Sequence, residues 1–173
     1  LEAEPVGSRR WDLRLIRWCN EALVRLDGEP GPLAARLQAR RAEAELYSGQ
    51  EEAAERSSRE ALRQAYAAAD AEAVVAGLRA RQLALSGPEH GPERAGLAEQ
   101  MMAAGQLLRR PDVERWGRCW RLDTHWEAGD LAAVGVELSE LADCVDRVGG
   151  PLPRWHLTVS GPVSANTDLL IAA

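Results

Sequence analysis

The 173-residue chain reads as an all-α protein, a right-handed stack of antiparallel helix hairpins with about seven to eight helices. Three observations predict this class. Alanine and leucine dominate, phenylalanine is absent and β-branched residues are sparse, which is helix-forming text. Gly49 and Gly129 each close one segment, and after a turn of one or two residues a second alanine-containing segment opens. Pro32, Pro111 and Pro151 or Pro153 each mark a first-helix start, consistent with a period near 40, inside the range of roughly 34–47 residues found for helical repeats.

The first helix is expected over Ser8 to Leu26, with Trp11, Leu15, Trp18, Ala22 and Leu26 on one face. Asp27-Gly28-Glu29-Pro30-Gly31-Pro32 breaks it. Pro32 suits the first turn of the next helix, Leu33 to Ser48, because its missing N–H would have had no helical partner. The hairpin partner spans Glu51 to Ala69. A second pair is expected over Ala71 to Leu85 and Pro92 to Leu108, and the loop between them, Ser86 to Pro92, is too rich in proline to be helical. The start near Asp70 lacks a proline, so the period is imperfect. The third pair runs from Asp112 to Ala128 and from Leu131 to Val148, bounded by Pro111 and Gly149-Gly150-Pro151. Pro153 to Val159 can begin a further helix. Residues 1–159 then form one repeat domain, and residues 160–173 an irregular tail or truncation remnant. The first helix reads as the second half of a repeat, which leaves an apolar face for a neighbouring domain or another copy.

Composition removes several function classes. All 21 basic residues are arginine, so no P-loop, Schiff-base or kinase-type lysine exists in this chain. A net charge of −6 argues against binding a phosphate backbone, which needs clustered positive charge. The arginines are interleaved with glutamates, and pairs such as Glu55/Arg59 and Glu114/Arg118 are expected on a solvated face. Cys19, Cys119 and Cys144 are far apart and without a C-x-x-C, reading as reduced core thiols of a cytoplasmic protein. No apolar stretch reaches the ~20 residues of a membrane span.

Counting from Gly49, the small residues five and twelve places on are Ala54 and Ala61, followed by Leu62. Counting from Gly129, the same places hold Val134, Leu141 and Ala142. The first set resembles tetratricopeptide-type repeats, and the second a divergent one. A further resemblance covers roughly 71–157, through Leu78 to His90, Glu93-Arg94, Trp120-Arg121-Leu122, Glu127 to Ala133 and Pro151-Leu152-Pro153-Arg154-Trp155. These runs are similar to the helical-repeat region of large actinobacterial regulators, the LuxR-type large ATP-binding and antibiotic regulatory proteins. The resemblance implies a sensor and oligomerisation module that works beside an ATPase and a DNA reader. Neither a G-x-x-x-x-G-K-[ST] motif nor a basic recognition helix occurs in this chain.

The most unusual local text is Trp116 to Glu127. Trp116, Trp120, Asp123 and Glu127 share one helical stripe, while Cys119, Asp123 and Trp126 share the next. Counted back from Gly129, Trp116, Cys119, Asp123, Trp126 and Glu127 fall where tetratricopeptide repeats line their concave groove. A groove with aromatic walls and two carboxylates suits a cationic or amphipathic ligand. The plainer alternative is packing, since tryptophans at helical spacing usually serve the core. Met101-Met102 stands between the same alternatives, an adaptable partner-binding patch or core.

Histidines offer little chemistry. His125 and Glu127 stand two apart on a helix and point in different directions, with no P-C-x-x-C following, against a deaminase or metal site. His90 is expected to serve helix entry, and His156 a surface or interface. No catalytic residue, metal ligand or cofactor site is expected. The functional expectation is a non-catalytic domain of a transcriptional regulator that binds a protein partner or small-molecule effector. It is expected to contact neither nucleic acid nor membrane, with a homo-oligomer as a further candidate. The alternative is a stand-alone protein that binds or sequesters a small natural product.

Overall fold

The computed structural model describes residues 8–27, 29–85 and 87–149. It is all-helical, with seven α-helices and no strand among the described residues. These are α1 (Ser8–Arg25), α2 (Pro32–Tyr47), α3 (Glu51–Ala67), α4 (Ala71–Ala84), α5 (Gly91–Leu108), α6 (Pro111–Glu127) and α7 (Leu131–Val148). Each lies within a few residues of its expected span. The loop expected to be free of helix holds one 3₁₀ turn, Pro88–His90, and α5 starts one residue early at Gly91, with His90 at its N-cap. Pro153 to Val159 and the expected tail at 160–173 lie outside the described residues.

A common turn ends most helices. Gly49, Gly129 and Gly149 have φ of 76°, 71° and 71°, the left-handed region where a Cβ is disfavoured. Asp27, Ala69 and Arg109 occupy the same region at 55°, 50° and 54°. Apart from Asp27, these residues recur at steps of 20, at 49 and 69 and again at 109, 129 and 149. Around Gly49, Gln50 N–H donates to Glu45 O at 2.8 Å and Gly49 N–H to Leu46 O at 2.9 Å. Around Gly129, Asp130 N–H donates to His125 O at 3.0 Å. The otherwise orphaned last carbonyls are thus satisfied. Helix starts use two devices. Pro32 and Pro111 open α2 and α6, whereas Asp70 and Asp130 cap α4 and α7 by accepting from Ala73 N–H at 2.8 Å and Ala133 N–H at 3.0 Å. The missing proline near Asp70 is therefore replaced by a carboxylate cap.

The chain divides into two compact units, Leu1–Ser86 and Gly87–Ala173. In the first, α1 packs on α2, α2 on α3, and α4 on both α2 and α3. Its core is made of methyl groups: Ala39, Ala42, Ala61 and Ala80 form one cluster and Ala35, Ala65 and Ala73 another. Ala54 and Ala61, the small positions of the repeat pattern, are both fully buried. Side chains this short bring helix backbones close together, and the gain comes from many small contacts.

In the second unit α6 packs on α5 and α7 packs on α6. This unit's buried hydrophobic side chains include Leu97, Ala98, Met101 and Met102 of α5, Val113 and Trp120 of α6, and Val134, Leu138, Leu141 and Val145 of α7. Both methionines are buried, which decides for core over a surface patch. Cys144 is buried in this unit and Cys19 in the first, while Cys119 is half-buried, and all three are free thiols.

Candidate functional site

The expected site residues all lie on α6, and the structure separates them by depth. Trp116 and Trp126 are 39% and 49% exposed, and Asp123 and Glu127 are exposed between and beside them. Trp120 is only 7% exposed and belongs to the core, its ring centroid 6.5 Å from that of Trp116 with the planes tilted by 46°. Cys119 sits half-buried in the middle of the strip. The surface strip is therefore Trp116, Asp123, Trp126 and Glu127, with Trp120 as its floor on the core side.

Two arginines fix this strip. The Arg115 guanidinium lies 5.1 Å from the centroid of the Trp116 ring, within range of a cation–π contact. Arg94 reaches from α5, and its Nη1 donates to both Glu127 oxygens at 2.6 and 2.7 Å. Arg94 is itself buried, so this charge pair is partly withdrawn from water and ties the end of α6 to the start of α5. Asp123 is exposed as a residue, yet desolvation by the protein around it raises the pKa of its carboxyl; Arg94 opposes the rise and Glu127 adds to it. Burial pushes the Cys119 thiol up to about 11, against the pull of Arg115. A thiol held in that state is protonated at neutral pH and gives no nucleophile.

Beneath α6, on the side facing α7, lies a charge network that sequence spacing did not reveal. Glu114 and Arg118, expected on a solvated face, are buried, correcting that expectation. Arg118 donates to Glu114 Oε1 from Nε and Nη2 at 3.1 and 3.0 Å and from Nη1 to Glu137 Oε1 of α7 at 3.3 Å. Arg121 donates from Nε to Glu137 Oε2 at 2.6 Å and from Nη1 to Glu99 of α5 at 3.1 Å. Arg147 closes the network on Glu114 Oε2 at 3.0 Å. Burial works against the Arg118 charge, but Glu114 and Glu137 outweigh it and its pKa is raised. By contrast the Glu55/Arg59 pair is exposed, as expected. The i,i+4 signal alone could not distinguish these two cases, because depth is set by what α7 brings over α6.

A second concavity lies in the first unit, between α1 and α2. It is an open cleft of about 370 Å³ lined by Trp18, Ala22 and Leu26 from one side and Leu33 and Leu37 from the other, with Glu21 and Arg25 on its rim. Trp18, expected on one face of α1 with Ala22 and Leu26, lines the cleft with them and is 49% exposed. The Trp11 side chain lies outside the described residues.

Among the described residues no group of three or more histidine, cysteine, aspartate or glutamate side chains is placed to hold a metal ion. No described helix is long and apolar enough to cross a membrane. No protein-family model, curated protein or solved structure matches the chain.

Proposed function

We propose that this chain is a non-catalytic, tetratricopeptide-like domain, its hairpins stacked as a right-handed α-solenoid, that binds a protein partner or small effector within a bacterial transcriptional regulator of the LuxR type. The observation that carries the binding role is the strip on α6, where Trp116 and Trp126 are exposed beside Asp123, with Glu127 at its edge held by Arg94. Exposed tryptophan next to carboxylate suits a ligand with an apolar body and a cationic group. The 20-residue rhythm of left-handed turn residues supports the repeat architecture. Ligand held on the strip would favour one curvature or association state of the stack, to the extent of its differential affinity for the two. The regulator assignment rests on the family resemblance. Sequencing the native reading frame outward from both ends tests it: a P-loop ATPase or a helix-turn-helix is expected, and a frame that closes near these residues would withdraw the assignment.

The cleft beside Trp18 favours a second reading, a stand-alone protein binding a small apolar molecule. Tryptophan fluorescence separates the two. A ligand response abolished by Trp126→Ala and kept by Trp18→Ala supports the strip, and the reverse pattern supports the cleft.

A further inference from the structure

The first and last described helices differ in charge. α1 has its main packing contact with α2 alone, and α7 with α6 alone, so each keeps an outward side. On α1 that side carries Leu13, Arg17 and Val24 in one stripe, with Arg14, Glu21 and Arg25 beside it, all exposed. On α7 it carries Val136, Glu140, Asp143 and Asp146, also exposed, among the small residues Ala132, Gly135 and Ser139. Three arginines thus face outward from α1 against one glutamate, Glu21, which pairs with Arg17 at 3.1 Å and leaves the side net positive. Three carboxylates face outward from α7; Glu140 lies 3.4 Å from Arg118 of α6 and Arg147 is held by Glu114, and the side stays net negative through Asp143 and Asp146. Val24 and Val136 are 75% and 65% exposed, large apolar side chains for which the described packing provides no cover.

We propose that α1 of one copy of this chain docks head to tail on α7 of a second copy. The charge signs match: Arg14, Arg17 and Arg25 meet Glu140, Asp143 and Asp146. The apolar parts match as well, since Leu13 and Val24 need a flat seat and the small residues around Val136 provide one. The two surfaces are different, so the contact is heterologous and its repetition gives an open chain or a ring rather than a closed twofold dimer. This surface is separate from the α6 strip, and the inference does not depend on ligand binding there.

The test is sedimentation velocity of the full chain over a concentration series at about 0.1 M and about 1 M salt, where the screening length falls from ~10 Å to ~3 Å. Self-association that weakens with salt is expected. Arg17→Glu and Asp143→Arg should each weaken it by at least about ten-fold, the effect of 1.4 kcal/mol. An equal mixture of the two variants should associate again, because each keeps the end that the other lacks. A symmetric α1–α1 or α7–α7 contact would leave one of the variants fully associated, and that result overturns the proposal. So does a wild-type chain that stays monomeric at low salt or associates more strongly as salt rises. If either variant fails to fold by circular dichroism, the salt dependence of the wild-type chain still decides.

Discussion

Gly117 of α6 faces Ala98 of α5 so closely that a Cβ at Gly117 would stand 2.7 Å from the Ala98 carbonyl oxygen and 2.5 Å from Met102 Cγ. The helices meet backbone to backbone. Gly117→Ala is therefore expected to destabilise by about 1–3 kcal/mol or more, the cost of overpacking a closed contact. Gly96 of α5 has open space at its Cβ, and Gly96→Ala should stabilise by up to about 1 kcal/mol through helix propensity. Urea unfolding of both variants checks the pair; equal effects would contradict the close crossing.

Glu137 is only 2% exposed and holds Arg118 and Arg121 together. Glu137→Ala leaves two partly buried guanidinium groups short of a partner, and a loss of about 3–5 kcal/mol is expected in thermal or urea unfolding. Arg59→Ala, which removes only the exposed partner of Glu55, should stay within about 1 kcal/mol. A small effect at Glu137 would mean that the network is not formed in solution.

The helices were legible from the sequence because their ends are chemical. Gly49 and Gly129 supply left-handed turns, and Pro32 and Pro111 fit first turns, so the boundaries follow from backbone rules that act over a few residues. The candidate strip was legible in part. Helical spacing places Trp116, Trp120, Asp123 and Glu127 on one side of α6, but spacing says nothing of depth, and α5 and α7 decide that Trp120 is core while Trp126 is surface. The Arg94–Glu127 and Arg121–Glu137 pairs join residues 33 and 16 apart and carry no local signal. The depth of Trp18 had no local signal either: its face of α1 is apolar, yet α2 covers only part of it.

Ala69 holds φ of 50° where the turns at Gly49, Gly129 and Gly149 use glycine. A left-handed residue with a Cβ costs about 1–2 kcal/mol, and glycine returns some of that through its larger unfolded-state entropy. Ala69→Gly should stabilise by about 0.5–1 kcal/mol, read as a higher urea midpoint with an unchanged slope. A lower midpoint would contradict the assigned turn.

Asp123, though exposed as a residue, has its folded-state pKa raised, chiefly by desolvation from the protein packed around it. The folded chain thus holds this proton more tightly than the unfolded chain, and stability falls as pH climbs from the ordinary carboxylate pKa through the raised one. Asp123→Asn removes that loss. The variant should melt above wild type at neutral pH and at the same temperature near about pH 3, where both side chains are neutral. A variant less stable than wild type at neutral pH would show Asp123 to be a favourable structural charge instead.

The most direct test of the binding role is a tryptophan-fluorescence titration of the full chain with short amphipathic peptides carrying arginine or lysine, repeated on Trp126→Ala and Asp123→Asn. Saturable quenching by the wild-type chain is expected, weakened at least about ten-fold by either substitution, the equivalent of 1.4 kcal/mol. A wild-type chain indifferent to every cationic peptide and small amphipathic amine tried, or one whose response survives both substitutions unchanged, would contradict the assignment of the α6 strip as the binding surface.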